Sequence, residues 1–174
     1  MIYSEGVTVT KRAEAPAVRP ASDPRWAGLA DLVLVIAREI QFRGYADARA
    51  IPLSQSEGVV MRYLQQDPAA PPSRIAAATG LQRTNLSTIL RGLERKGLIE
   101  RQASPDDARG VTVRPTERGE SNYALVRQEW ASAVAVAAGH DAGHLDAALA
   151  LLGAVEAGLT STRPGTPGRP AALM

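Results

Sequence analysis

Along most of the chain, apolar residues recur at steps of three and four, which is the spacing of one face of an α-helix. In the first such segment they include Trp26, Leu32 and Ile36, and in the last they include Leu145 and Leu152. The pattern predicts six helices, at about residues 23–44, 54–66, 71–78, 82–96, 116–138 and 145–160.

The predicted helices carry start and stop signals at their ends. Ser54 and Glu57 match a capping box, in which each side chain accepts a hydrogen bond from the backbone amide of the other residue. Thr79-Gly80-Leu81 predicts a tight turn between the third and fourth helices, because glycine readily adopts a left-handed conformation. Gly97 is expected to stop the fourth helix.

Two extended segments follow the fourth helix, Leu98 to Gln102 and Val111 to Arg114. Residues 104–110 between them are rich in turn formers, which predicts a β-hairpin with a protruding tip. Two short helices that meet at a glycine turn form a helix-turn-helix, and a hairpin directly after the second helix makes it winged. The predicted fold class is mainly α with a small β-hairpin wing, in which N- and C-terminal dimerisation helices flank a winged helix-turn-helix.

Basic charge is concentrated in the part of the chain that holds this predicted motif. Residues 71–118 contain nine Arg or Lys and five Asp or Glu, a net charge of +4. The whole chain has 20 basic and 18 acidic residues, so eleven basic and thirteen acidic residues remain elsewhere, a net charge of −2. A surface that faces a polyanion needs such a concentration, although scattered surface arginines would also produce it.

The fourth helix carries the candidate DNA-contacting face. Its inward residues are expected to be Leu86, Ile89, Leu90 and Leu93. The opposite face has short hydroxyls and arginines and consists of Arg83, Thr84, Ser87, Thr88 and Arg91. Such side chains can approach base edges and phosphates closely, whereas the alternative is an ordinary amphipathic surface helix. Gly92 lowers helix stability, and either close phosphate approach or tolerance on an exposed face would explain it.

From Ser54 to Gly119 the sequence resembles the MarR family of bacterial regulators. The most specific stretch contains Asp107, Arg109, Thr116 and Gly119. It is similar to the family's wing signature of Asp, any residue, Arg, five residues, Leu-Thr, two residues and Gly. The resemblance implies that Arg109 enters the minor groove from the tip of the wing and that Asp107 orients this arginine or its neighbours through an ion pair. A solvated turn is the alternative for both residues.

The sequence departs from the family pattern at two positions. Pro115 stands where the family usually has leucine, and proline cannot donate a hydrogen bond to a β-ladder. Gln82 stands where the family often places a serine as helix cap, so the start of the recognition helix is expected to fray.

The resemblance also implies a function. Such a protein is a sequence-specific regulator of transcription that binds double-stranded DNA, typically a ligand-responsive repressor on a pseudo-palindromic operator. A cleft between the dimerisation helices and the winged domain would take a small-molecule effector, and no cofactor is expected. The apolar stripes of the first and last helices independently favour pairing with a second copy as a homodimer.

We expect a single domain at residues 23–160, with the winged helix-turn-helix at about 54–115 and the dimerisation helices at about 23–44 and 116–160. Residues 1–22 and 161–174 are interpreted as a flexible arm and a flexible tail. Charged residues near the start argue against a secretory signal, and no apolar run approaches the roughly 20 residues of a membrane helix. A cytoplasmic protein without membrane contact is therefore expected.

An enzyme is not expected, because the sequence has no phosphate loop, nucleophile motif or metal set. His140 and His144 are four residues apart and can share a helix face, but they are more simply explained as surface residues, because a structural zinc takes four ligands. The alternative function is a winged-helix dimerisation or protein-interaction module without specific DNA binding. The enzyme alternative has one specific form, a winged dimerisation module at the front of a small-molecule methyltransferase, and the missing glycine-rich strand-turn-helix argues against it.

Overall fold

The computed structural model describes residues 23–103 and 110–163. Its helices are α1 (Arg25–Phe42), α2 (Gln55–Gln66), α3 (Pro72–Thr79), α4 (Arg83–Arg95), α5 (Glu117–Ala137) and α6 (Leu145–Ser161), and its strands are β1 (Ile99–Ala103) and β2 (Val111–Pro115). Helices α3 and α4 form the helix-turn-helix, and the two strands form the wing. The predicted fold class, mainly α with a small hairpin wing, is confirmed.

The local signals at the helix ends act as predicted. Ser54 Oγ accepts from the amide of Glu57 at 3.2 Å, and Glu57 Oε2 accepts from the amide of Ser54 at 2.8 Å, which completes the capping box. Between α3 and α4, Gly80 has a φ of +72°, and its amide donates to the carbonyl of Ala76 at 2.9 Å. A residue with a side chain would be strained there, so the glycine sets the turn.

The wing is an antiparallel hairpin in which Ile99 pairs with Pro115 and Arg101 pairs with Val113. The amide of Val113 also donates to the carbonyl of Ala70 at 2.9 Å, which ties the wing to the segment before α3. Pro115 is the last residue of β2, so its missing amide hydrogen falls at the end of the ladder. The departure from leucine therefore leaves the hairpin intact.

The core is formed by α2, α3, α4, α5 and the base of the wing. Its largest fully buried side chains are Val60, Met61, Leu64, Ile75, Leu86, Leu90, Leu93, Leu98, Val113 and Val126. Leu86, Leu90 and Leu93 anchor α4 along one side. Ile89, which was also predicted to face inward, is only partly buried and packs against the edge of the core.

Two side chains of α5 hold the segment that precedes α2. Asn122 Oδ1 accepts from the amide of Ile51 at 2.7 Å, and Asn122 Nδ2 donates to the carbonyl of the same residue at 3.1 Å. Two turns further along α5, the Glu129 carboxylate accepts from the amides of Ala46 at 2.8 Å and Asp47 at 3.2 Å. The segment is thus fixed through its backbone at two points.

Helices α1 and α6 carry apolar side chains that a single chain leaves exposed. In α1, Leu34 is 71% exposed, and in α6, Leu149 and Leu159 are 61% and 69% exposed. Neither helix has a buried residue. The chain divides into two compact units within α1, between Ile36 and Ala37. Across residues 23–103 and 110–163, no helix combines the length and the apolar character needed to span a membrane.

Candidate nucleic-acid interface

The face of α4 opposite its buried leucines is polar and exposed. It consists of Arg83, Thr84, Ser87, Thr88 and Arg91, the five residues of this helix predicted to face DNA, and each of them is exposed. Arg91 Nη2 donates to Thr88 Oγ1 at 3.3 Å. The acidic residue of α4, Glu94, comes after this face and lies 3.3 Å from Arg101 Nε. The face itself therefore presents neutral and cationic groups, as contact with phosphates requires.

An open cavity of about 280 Å³ adjoins this face. It is lined by Pro72, Ser73, Arg83, Leu86, Ser87, Leu90 and Arg101. The two arginines and two serines supply hydrogen-bond donors that suit the oxygens of a phosphate. Sequence reasoning missed Ser73 and Arg101. The excess basic charge of residues 71–118 was the one sequence signal that Arg101 could contact DNA. Its place beside α4 depends on the hairpin and could not be predicted from local spacing.

The predicted tip residues Asp107 and Arg109 lie outside the described residues, so their roles stay predictions. On either side of the tip, Ala103 pairs with Val111 as the last rung of the hairpin. The described parts of β1 and β2 therefore end side by side.

Thr116 and Gly119, the other residues of the wing signature, join the wing to α5. Thr116 caps α5, because its Oγ1 accepts from the amide of Gly119 at 3.0 Å, and the same hydroxyl donates to the carbonyl of Gly97 at 2.7 Å. A Cβ on Gly119 would lie 1.9 Å from the backbone oxygen of Leu98. Only glycine fits so close an approach, and both motif residues therefore support the base of the wing.

Helix α4 begins without a side-chain cap. Gln82 is the N-cap residue, and its side chain forms no capping hydrogen bond. The amide of Leu86 nevertheless donates to the carbonyl of Gln82 at 2.9 Å, so the helix is regular from its first turn. The absence of a side-chain cap is confirmed, and fraying of the first turn stays a prediction.

Gly92 is half-buried and faces Glu57, so tolerance on an exposed face does not explain this glycine, and close phosphate approach stays a prediction. A Cβ at position 92 would lie 3.2 Å from Glu57 Oε1, so the glycine leaves room for a carboxylate of the protein itself. Glu57 is only 7% exposed, and Lys96 Nζ lies 2.7 Å from its Oε2. The pair connects the start of α2 with the end of α4.

A second cavity, of about 360 Å³, lies at the segment before α2 and the first half of α5. It is lined by Arg49, Ile51, Arg118, Ser121, Asn122 and Leu125. Arg49 Nη2 also lies 2.6 Å from Asp47 Oδ2, and this hydrogen bond lowers the pKa of Asp47 to about 2. Two guanidinium groups beside apolar side chains suit a small anion with an apolar body.

The two histidines are exposed and lie in the break between α5 and α6, not on a shared helix face. His140 has a φ of +59°, and His144 is the N-cap of α6. Within the described ranges, no three or more His, Asp and Glu residues cluster so that they could hold a metal ion. His140 and His144 are four residues apart, but they are not in one helix, so this spacing does not align their side chains.

The fold and the exposed face of α4 define the winged helix-turn-helix class of proteins. Residues 53–111, about a third of the chain, match the model of the MarR family. Over this segment the chain is similar to the MarR family. No curated protein matches it.

Solved structures extend this likeness beyond the matched segment. A MarR family protein from Bacillus stearothermophilus is 20% identical with a TM-score of 0.62, over 80% of this chain and 99% of that one. MarR from E. coli in its apo form is 19% identical with a TM-score of 0.57, over 73% and 96%. The PcaV transcriptional regulator from Streptomyces coelicolor, solved with its natural ligand, is 18% identical with a TM-score of 0.58, over 80% and 98%. This chain has the fold of these regulators.

Proposed function

We propose that this protein is a sequence-specific, double-stranded DNA-binding transcription regulator of the cytoplasm that acts as a homodimer. The exposed, acid-free face of α4 carries the proposal, because the second helix of a helix-turn-helix enters the major groove. Arg83 and Arg91 lie at its two ends, where a guanidinium can bind a guanine edge through two hydrogen bonds. Thr84, Ser87 and Thr88 lie between them and are short enough to approach base edges.

The flanking elements supply contacts to the DNA backbone. Ser73 and Arg101 lie beside Arg83 and Ser87 around the 280 Å³ cavity, and we assign Ser73 and Arg101 to phosphate contact. Arg109 binds the minor groove from the wing tip, oriented by Asp107, as the likeness of the wing sequence implies.

The apolar surfaces of α1 and α6 support the homodimer. Leucines that are more than half exposed on both helices are unfavourable in water, and a second copy of the chain covers them. A two-fold dimer presents two recognition helices, so its operator is pseudo-palindromic with half-sites one helical turn, about 10 base pairs, apart.

A ligand-responsive repressor is the form of regulation that we propose. The cavity beside Arg49 and Arg118 gives a small anionic effector a place to bind next to α5. PcaV was solved with its natural ligand, which makes effector binding a reasonable property for a chain of this fold.

Selection of duplexes from a randomised pool by the full chain tests the DNA-binding proposal. We expect the selected duplexes to share an inverted repeat and to bind at least about a thousandfold more tightly than an unrelated duplex. The logarithm of the binding constant should fall linearly with the logarithm of salt concentration, because phosphate contacts release counterions. A pool without enrichment would favour the alternative, a winged-helix dimerisation or protein-interaction module without specific DNA binding.

Two arginine substitutions distinguish the contribution of α4 to DNA binding from that of the wing. Arg83→Ala should reduce the difference in binding affinity between selected and unrelated duplexes, since one bidentate base contact contributes about 1–3 kcal/mol of discrimination. Arg109→Ala should weaken both complexes alike and reduce the salt slope by about one. Arg127→Ala, on the exposed side of α5, is the control for loss of a positive charge. Unchanged affinity and slope for Arg109→Ala would contradict the wing assignment.

A further inference from the structure

Glu57 is a buried carboxylate with a complete set of hydrogen bonds. Its Oε2 accepts from the amide of Ser54 at 2.8 Å and from Lys96 Nζ at 2.7 Å, and its Oε1 accepts from Lys96 Nζ at 2.8 Å. Lys96 Nζ also donates to the carbonyl of Pro52 at 2.8 Å. The ammonium at the end of the recognition helix therefore contacts acceptors of the protein itself on two sides.

The pair joins elements that are 39 residues apart in the sequence. Lys96 is the C-cap of α4, and the residues that it binds lie at the start of α2 and just before it. The same segment is held to α5 by Asn122 through Ile51. The C-terminal end of α4 is thus connected, through Lys96, to the backbone that α5 fixes.

Gly92 adapts α4 to this pair. A Cβ there would lie 3.2 Å from Glu57 Oε1, which is tighter than ordinary contact, although alanine would favour the helix. The helix thus has its least favourable residue other than proline, Gly92, at the position that faces the Glu57 carboxylate. Glu57 is buried, so loss of the Lys96 ammonium would leave its charge uncompensated, and the pair has a defined geometry.

We propose that the ion pair between the buried Glu57 carboxylate and the partly exposed Lys96 ammonium, admitted by Gly92, fixes the C-terminal end of α4 against α2, so that both residues position the recognition helix on DNA without touching it. This inference rests on the proposed function, because it concerns the orientation of the same helix. It assigns the Lys96 ammonium to a contact within the protein, although its position beside Arg91 and Arg95 on a recognition helix would suggest a phosphate contact.

The test compares Glu57→Gln and Lys96→Met with Arg95→Met, which removes an exposed positive charge from the adjacent position. The probes are the tightest duplex from the randomised pool and an unrelated duplex of equal length. We expect each of the first two variants to reduce the affinity ratio of the two duplexes about tenfold, within the range of couplings between contacting residues. The salt slope should not change for Lys96→Met, and Arg95→Met should leave the ratio unchanged.

A Lys96→Met protein that loses about one unit of salt slope with an unchanged ratio would show a phosphate contact and overturn the proposal. If a single variant does not fold, Glu57→Gln combined with Lys96→Met takes its place, because a neutral pair leaves no buried charge. The double variant should fold and still show the reduced ratio. A folded double variant with the wild-type ratio would also overturn the proposal.

Hydrogen exchange separates this inference from the proposed function. If the wild-type chain binds all duplexes alike, the proposed function fails, but the pair can still be tested without DNA. Amides in the last turn of α4, residues 91–96, should exchange faster in Glu57→Gln than in the wild type, with no change in the second half of α5. Equal exchange in α4 would show that the pair does not position the helix.

Discussion

Asn122 forms two hydrogen bonds with a single residue, Ile51, and both lie in a site where Asn122 is only 5% exposed. Its carboxamide pairs with the amide and the carbonyl of Ile51 as a neighbouring strand would. A buried backbone group that loses its partner costs about 1–3 kcal/mol. At the residue scale, this side chain therefore decides where the segment before α2 lies.

Asn122→Ala should lower the free energy of unfolding by about 2–4 kcal/mol, because it leaves two backbone groups of Ile51 without their partner. Urea denaturation measures the change. Gln128→Ala, at an exposed position of the same helix, should stay within about 0.5 kcal/mol of the wild type. Equal losses in the two variants would show that the hydrogen bonds to Ile51 contribute nothing specific.

At the scale of elements, α4 is held firmly by its side and weakly at its start. Leu86, Leu90 and Leu93 are no more than 2% exposed, whereas the N-cap Gln82 gives its helix no side-chain hydrogen bond. The backbone of Gln82 has φ −63° and ψ 143°, the extended conformation that a capping serine adopts. The geometry for a cap is present, and only the side chain is unsuitable.

Gln82→Ser should therefore raise the free energy of unfolding by about 1 kcal/mol, since its hydroxyl can accept from an unpaired amide in the first turn of α4. Gln82→Ala is the matched control and should give no such gain. The midpoint of thermal unfolding reports the difference. A serine variant no more stable than the alanine variant would mean that these amides are already satisfied by water.

At the scale of the whole molecule, α1 and α6 carry exposed apolar side chains but contribute no buried residue to the core. The core draws on α2 to α5 and the wing, while α1 and α6 have no buried residues. A single chain consequently leaves Leu34, Leu149 and Leu159 more than half exposed.

We expect the wild type to sediment as a dimer at micromolar concentration. Leu149→Glu should weaken that dimer by about two orders of magnitude or more, because burying an unpaired carboxylate costs several kcal/mol. Gln128→Glu introduces the same charge on α5 and should leave the dimer intact. Sedimentation equilibrium distinguishes the two variants, and a wild-type chain that remained monomeric would remove the basis for a two-fold operator.

The fold was largely predictable because its signals are local. Helical periodicity, the Ser54 capping box and the Gly80 turn each involve residues within a few positions of one another, so they give the order and approximate bounds of the elements. The exposed face of α4 was predictable for the same reason, since its polar residues and its inward leucines share one period. The missing cap at Gln82 was predictable on the same local grounds, and fraying there stays a prediction.

The sequence by itself determined that this chain forms a winged helix-turn-helix with a basic, hydroxyl-rich recognition face. Only the tertiary structure decided that Gly92 admits a carboxylate, that Arg101 lies beside α4, and that Asn122 binds a residue 71 positions away. These facts depend on which distant segments meet. Hydrophobic spacing predicts which side of a helix is buried, but it does not identify the polar group of another segment that packs against that helix.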